Sequence, residues 1–372
     1  MDALAHILLS LLALMGAGPG DAGPAALRDA TTANPAGVPF AISDDAAQRA
    51  FPSELLAANA VGLSAARTYV DWSAIATQRP AEPRNPADPA YDWTALDADV
   101  ARTRHSGLAV QLAFWRVPAW ANGGLAPNAW PLNPQDLGDF AYAVALRYPR
   151  ARLFYDWNEP NSRIFAAPNT VEAYEPMARA VYAAVHAANP GAQVAAGNLA
   201  RYRDAGRDPA AWAAKLHVDG VPMDLFGIHP YPLRRAALAV RDPLDRIDLL
   251  DVPALARFAG VAVIVSEFGW SSDDVGLEQQ AQWTAQAIEV ARCTPGLAGF
   301  VFWGFHDHPV PAGVAADPWV RFGWLDATGQ PKPVFQSALE ALRIPLDCTA
   351  VGRAAGAPAG WPLTSTIPFP ST

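Results

Sequence analysis

Eight apolar runs alternate with helical stretches along the chain, and the unusual polar and aromatic residues gather at the C-terminal ends of those runs. These two observations predict an α/β fold: a single-domain (β/α)8 TIM barrel spanning 36–345. Most of the runs are rich in Val, Ile, Leu and Phe without polar alternation, the pattern of parallel strands buried on both faces. A doubly wound open sheet fits the same alternation. The barrel accounts better for where the unusual residues fall, because barrel strand C-termini converge on one face.

The runs are 39–43, 65–70, 109–115, 152–157, 193–197, 225–229, 261–267 and 299–303. The second carries Arg67 within Ala-Ala-Arg-Thr-Tyr, and the third ends on Trp115. The fourth leads into Trp157-Asn158-Glu159-Pro160-Asn161. The sixth ends on His229 and continues into Pro230-Tyr231; the seventh ends on Glu267 and the eighth on Trp303. Between them, 170–189 places Val171, Tyr174, Ala178, Val181, Tyr182 and Val185 at helical spacing. Asn169 with Glu172 three residues on predicts its N-cap, and Asn189-Pro190-Gly191 its end. A second helix is predicted over 277–292, stopped by Thr294-Pro295-Gly296. The Pro-rich stretch 78–91 and the stretch 122–134, which carries Trp130, predict long loops of the kind that shape a cleft.

Composition narrows the partners. A net charge of −9 over 372 residues argues against nucleic acid and against an anionic membrane surface. The apolar run 3–17 is too short to span a bilayer and suits the core of a secretory signal, so 1–26 is expected to be a leader and the protein to be secreted. The usual positive segment before it is missing, which leaves a short hydrophobic arm as the alternative. Cys293 and Cys348, the only two cysteines, fit one disulfide in an exported protein; two buried thiols are the alternative. The tail 350–372, rich in Ala, Gly, Pro, Ser and Thr, is expected to be disordered, and a monomer is expected.

The two strand-end glutamates carry the chemistry. Glycoside cleavage needs one acid to protonate the leaving oxygen and one carboxylate to attack the sugar carbon. Glu159, flanked by Trp157 and Pro160, suits the acid, which must hold a proton at working pH. Glu267 ends a buried strand, where a charge is costly unless paired or functional, and Arg67 is its expected partner. Asn158 suits a contact to the sugar 2-hydroxyl, Tyr231 a hydrogen bond to Glu267, and His229 the wall of the same site. Trp303 and Trp115 offer flat faces for sugar rings. Trp120, Trp130, Trp157 and Trp270 suit packing better. Asp44, Asp45 and Asp71 follow strands and suit either caps or substrate contacts.

These motifs resemble clan A of the glycoside hydrolases, over roughly 36–345. The resemblance implies a retaining (β/α)8 glycosidase with Glu159 as acid/base, Glu267 as nucleophile and Arg67 beneath it. It further implies a sugar site lined by Asn158, His229, Tyr231 and Trp303, a carbohydrate substrate and no cofactor. Trp-Asn-Glu-Pro-Asn, with Tyr91-Asp92-Trp93 upstream, is most similar to families 39 and 5. Two other readings stay open. One is a non-catalytic carbohydrate-binding protein on the same barrel. The other is a metal-dependent hydrolase, for which His306-Asp307-His308 supplies candidate ligands.

Overall fold

The computed structural model describes residues 38–43, 53–202, 206–231, 251–308 and 320–354. The expected leader, Asp44, Asp45 and residues 355–372 of the expected tail lie outside the described residues.

Eight strands close into a barrel in sequence order, and every neighbouring pair is parallel, β8 returning to β1. They are β1 (Phe40–Ser43), β2 (Ala65–Asp71), β3 (Ala109–Trp115), β4 (Leu153–Tyr155), β5 (Gln193–Ala200), β6 (Leu225–His229), β7 (Ala262–Val265) and β8 (Leu297–Trp303). The fold expected from the sequence is therefore the one observed. β4 and β7 stop earlier than the apolar pattern suggests, at Tyr155 and Val265. Both glutamates thus sit just beyond their strands, in backbone released from the ladder.

Helices surround the barrel. After β1 comes α1 (Ser53–Val61); after β2, α2 (Trp72–Ile75) and α3 (Thr94–His105); after β3, α4 (Ala119–Asn122) and α5 (Pro134–Arg147). Then follow α6 (Val171–Ala188), α7 (Pro209–Val218), α8 (Val252–Ala259), α9 (Ser272–Val275), α10 (Leu277–Arg292), α11 (Pro333–Arg343) and α12 (Cys348–Ala354). The cap of α6 is Thr170, whose side chain accepts from Ala173 N, and not Asn169. The Asn169 amide is used elsewhere, donating to the Asn161 carbonyl at 3.0 Å, so it ties the loop after β4 instead of starting the helix. Asp71 likewise acts as a cap: it accepts from Ala74 N at 3.1 Å at the start of α2 and pairs with Arg116 at 3.2 Å.

The space between strands and helices is filled by large apolar side chains. Trp72 and Trp93 both stack on Phe140 of α5, and Tyr91 packs against Trp93, which gives the Tyr-Asp-Trp segment a packing role. Trp130, Trp157 and Trp270 are buried, as packing residues should be. Cys293 at the end of α10 is bridged to Cys348 at the start of α12, across 55 residues. A cross-link of that span is worth about 4 kcal/mol in the chain-entropy account. No helix among the described residues is long and apolar enough to cross a membrane.

Candidate active site

The sequence of β2 sets the floor of the site. Side chains two apart on a strand share a face, so Arg67 and Tyr69 rise together. Arg67 is fully buried in the barrel mouth, its guanidinium over the rings of Tyr69 and Tyr155 at 4.6 and 4.8 Å. Its Nη1 donates to Glu267 Oε1 at 2.7 Å and its Nη2 to Asn158 Oδ1 at 3.1 Å. One cation thereby joins the ends of β4 and β7 from below.

Glu267 is the most constrained carboxylate of the site. Besides Arg67, Tyr69 donates its hydroxyl to Oε1 and Tyr231 donates to Oε2 at 3.1 Å. His229 Nδ1 lies 3.5 Å from Oε2. Burial alone pushes the Glu267 carboxyl up; the charge of His229 when doubly protonated, the Arg67 guanidinium and the Tyr69 and Arg67 hydrogen bonds outweigh it and hold the group below the usual carboxylate range. Burial pushes both phenols up, Tyr69 and Tyr231 alike, so they stay protonated and remain donors.

Glu159 is held differently. Its φ is +44°, in the left-handed region that costs a residue with a Cβ on the order of 1–3 kcal/mol. Its N–H donates to the Asn198 carbonyl at 3.1 Å, and its Oε1 lies 2.9 Å from His229 Nδ1. His229 Nε2 is buried, with no hydrogen-bond partner among the described residues, so the ring meets both carboxylates through Nδ1. Atoms of Glu159, His229 and Glu267 all lie within 4.8 Å of one another.

Asn158 is buried, with Oδ1 accepting from Arg67 Nη2 and lying 3.0 Å from the Tyr69 hydroxyl oxygen, whose proton goes to Glu267. That assignment turns its Nδ2 group away from those two groups. Trp303 and Trp115 flank Tyr69: the Trp303 ring meets it edge-on at 6.3 Å, and Trp115 lies tilted at 4.9 Å. The Arg116 guanidinium lies 4.3 Å from the Trp115 ring. The structure thus brings together Arg67, Asn158, Glu159, His229, Tyr231, Glu267, Trp303 and Trp115, the residues singled out in the sequence. Tyr69 belongs with them and was missed; its signal is the two-residue spacing from Arg67.

The His306-Asp307-His308 stretch is engaged elsewhere. Both Asp307 oxygens accept from Lys332 Nζ at 3.1 Å, and Oδ1 also takes the Gly323 N–H. His306 is buried with Nδ1 2.7 Å from the Asp307 carbonyl. Among the described residues, the group spaced closely enough to hold a metal ion is Glu159, His229 and Glu267. The Arg67 cation lies 2.7 Å from Glu267 Oε1, which opposes a second cation there.

No family model matches the sequence, and no curated protein matches it. Solved structures do share the fold. A family 39 glycoside hydrolase from the gut symbiont Bacteroides cellulosilyticus WH2 superposes with a TM-score of 0.62 at 18% identity, over 83% of this chain. The match covers 64% of that protein, so this chain spans less than two thirds of its length. GH5_18 from Streptomyces cattleya, in complex with GlcNAc, gives a TM-score of 0.66 at 17% identity over 82% of this chain and 80% of that one. Xylanase 10B from Thermotoga maritima gives 0.61 at 16% identity, over 85% of this chain and 97% of its own. All three are clan A glycoside hydrolases on eight-stranded parallel barrels, the architecture found in this chain.

Proposed function

We propose that the protein is a retaining glycoside hydrolase that cleaves O-glycosidic bonds, β-linked, in poly- or oligosaccharides. One observation carries the reading. Carboxylate atoms of Glu159 and Glu267, one beyond β4 and one beyond β7, approach within 4.8 Å. Direct attack by a carboxylate needs a separation of roughly 5–5.5 Å, whereas inversion leaves room for water and needs roughly 6.5–9.5 Å.

In the first step Glu267 attacks the anomeric carbon. The bond from that carbon to the leaving oxygen breaks, and Glu159 transfers its proton to that oxygen, releasing an alcohol. A sugar ester on Glu267 remains. Glu159, now ionised, takes a proton from water; the water oxygen attacks the anomeric carbon and the ester bond to Glu267 breaks. Two displacements restore the starting configuration. The hydrogen bonds on Glu267 serve both steps: they keep it ionised for attack and stabilise it as it departs. Asn158 Nδ2 is the donor for the sugar 2-hydroxyl, and Trp303 and Trp115 supply ring faces to the sugar. The neighbours that share the fold, a xylanase among them, support a carbohydrate substrate. The bridged cysteines support export to an oxidising compartment.

A screen of aryl β-glycosides together with β-glucan, mannan and xylan tests the reading. Turnover of at least one glycoside, unaffected by a chelator, is expected. Saturable sugar binding without turnover would favour the carbohydrate-binding reading, and chelator-sensitive turnover the metal-dependent one.

A further inference from the structure

The strained backbone of Glu159 is supported by a buried polar assembly that takes no part in the chemistry described above. Its acceptor, the Asn198 carbonyl, belongs to a residue that is itself left-handed, with φ +49°. Asn198 follows Gly197 (φ +87°) and lies where the register of β5 against β6 shifts, between Ala196 and Leu199. The Asn198 side chain is fully buried. Its Nδ2 donates to the Ala195 carbonyl at 2.9 Å and to Asp156 Oδ1 at 3.3 Å. Its Oδ1 rests against Gly227 of β6, where an added Cβ would come within 1.9 Å of that oxygen. Glycine at 227 is therefore what leaves room for Asn198.

Asp156 closes the assembly. It is buried at the end of β4, three residues before Glu159. Its Oδ2 accepts the hydroxyl proton of Tyr174, and the same Tyr174 oxygen accepts the N–H of Gly197 at 2.6 Å. The chain of contacts runs from α6 through Tyr174 to Asp156, to Asn198, and by its carbonyl to the Glu159 amide. A buried carboxylate bonded to two neutral side chains is a costly feature for a core. Burial pushes its carboxyl up to about 7, despite the Tyr174 and Asn198 hydrogen bonds that favour the ionised form.

We propose that Asp156, Tyr174 and Asn198 are positioning residues that fix the left-handed backbone of Glu159 and so aim its carboxyl at the leaving oxygen. The proposal rests on the reading of Glu159 as the acid of a glycosidase. It follows that their loss should act on the step that needs the acid, and hardly on bond cleavage that needs none. A misplacement of about 1 Å at a reacting group can lower a rate by as much as about a hundredfold.

The test uses two substrates with the glycone that the wild-type protein accepts, one a 2,4-dinitrophenyl glycoside and one a phenyl glycoside. The dinitrophenolate leaves without protonation; the phenolate gains from it. In Asp156→Asn, kcat/KM on the phenyl glycoside should fall about tenfold to a hundredfold, and on the dinitrophenyl glycoside less than about threefold. Asn198→Gly is the second variant: glycine adopts φ near +49° without strain, so the backbone persists while the link to Asp156 is cut. It should show the same split, and Tyr174→Phe a weaker one. Equal losses on both substrates, or no loss on either, would overturn the proposal. Failure of all three variants to fold would assign the assembly to stability and reject the positioning role. Absence of any glycoside turnover by the wild-type protein would instead remove the reading on which the proposal rests.

Discussion

The ends of β4 and β7 each present a glutamate to the same cleft, and they hold it by opposite means. Glu267 is fixed through its side chain, by Arg67, Tyr69 and Tyr231, and its side chain is 7% exposed. Glu159 is fixed through its backbone, left-handed and bonded to Asn198, while its carboxylate meets His229 and is 15% exposed. The difference follows from the two tasks. A nucleophile must stay ionised and still, which direct charge and donors provide. An acid/base must trade a proton with a leaving group and then with water, which needs an accessible carboxyl aimed from behind.

The two ends should therefore fail differently. Removing the nucleophile has the largest expected effect: Glu267→Ala should lose at least about 10⁴-fold in kcat on every substrate, since no covalent intermediate can form. A variant with a large residual rate on good leaving groups would show that attack comes from elsewhere. Glu159→Ala should be selective. Its kcat/KM should fall about 10²–10⁴-fold on substrates with poor leaving groups and little on those with good ones. Uniform loss would contradict its role as the acid.

The support beneath Glu267 gives a smaller effect with a definite sign in pH. Arg67 helps hold the Glu267 carboxyl low, and activity requires that carboxyl ionised. Arg67→Ala should therefore raise the Glu267 pKa and move the acid limb of the rate profile to higher pH. Removing one partner of a buried pair also costs about 3–5 kcal/mol of stability, so the profile is to be taken well below the melting temperature. An unchanged acid limb in the folded variant would mean that Arg67 does not set the charge of Glu267.

The support beneath Glu159 carries a pH signature of stability. Asp156 has its carboxyl raised from 3.8 to about 7 in the folded protein. The folded state then binds the proton more tightly than the unfolded chain. The contribution is fully present below about pH 4 and is lost as pH rises through about 7, a change on the order of 4 kcal/mol. Asp156→Asn cannot ionise, so its melting temperature should gain on the wild type as pH rises from 4 to 7. Parallel melting curves over that range would contradict the burial assigned to Asp156.

Much of this was legible in the chain. The barrel followed from apolar runs without alternation, and the pair of glutamates from their place at the end of one run and just past another. Asn158, His229 and Tyr231 were legible because each sits in a short motif at a strand end, and Arg67 because a lone cation within an apolar run stands out, although it lies inside β2 and not at its end. Tyr69 was legible in principle, since period-two spacing puts it on the face of Arg67. Its role as a donor to Glu267 depends on a reach across the barrel mouth that spacing does not give. Asp156, Asn198 and Gly227 were not legible. Their link is made by a register shift between β5 and β6, which brings residues distant in sequence together. The cap of α6 was misplaced by one residue because Asn169 and Thr170 both suit a cap, and the loop after β4 engages the former.

The central claim is that Glu267 forms a covalent sugar intermediate while Glu159 serves as acid and then base. Proton NMR of the first-formed product, recorded before mutarotation, tests it most directly. The approach of a Glu159 and a Glu267 carboxylate oxygen to within 4.8 Å predicts a product with the anomeric configuration of the substrate. An inverted anomer would contradict the mechanism and the role given to Glu267.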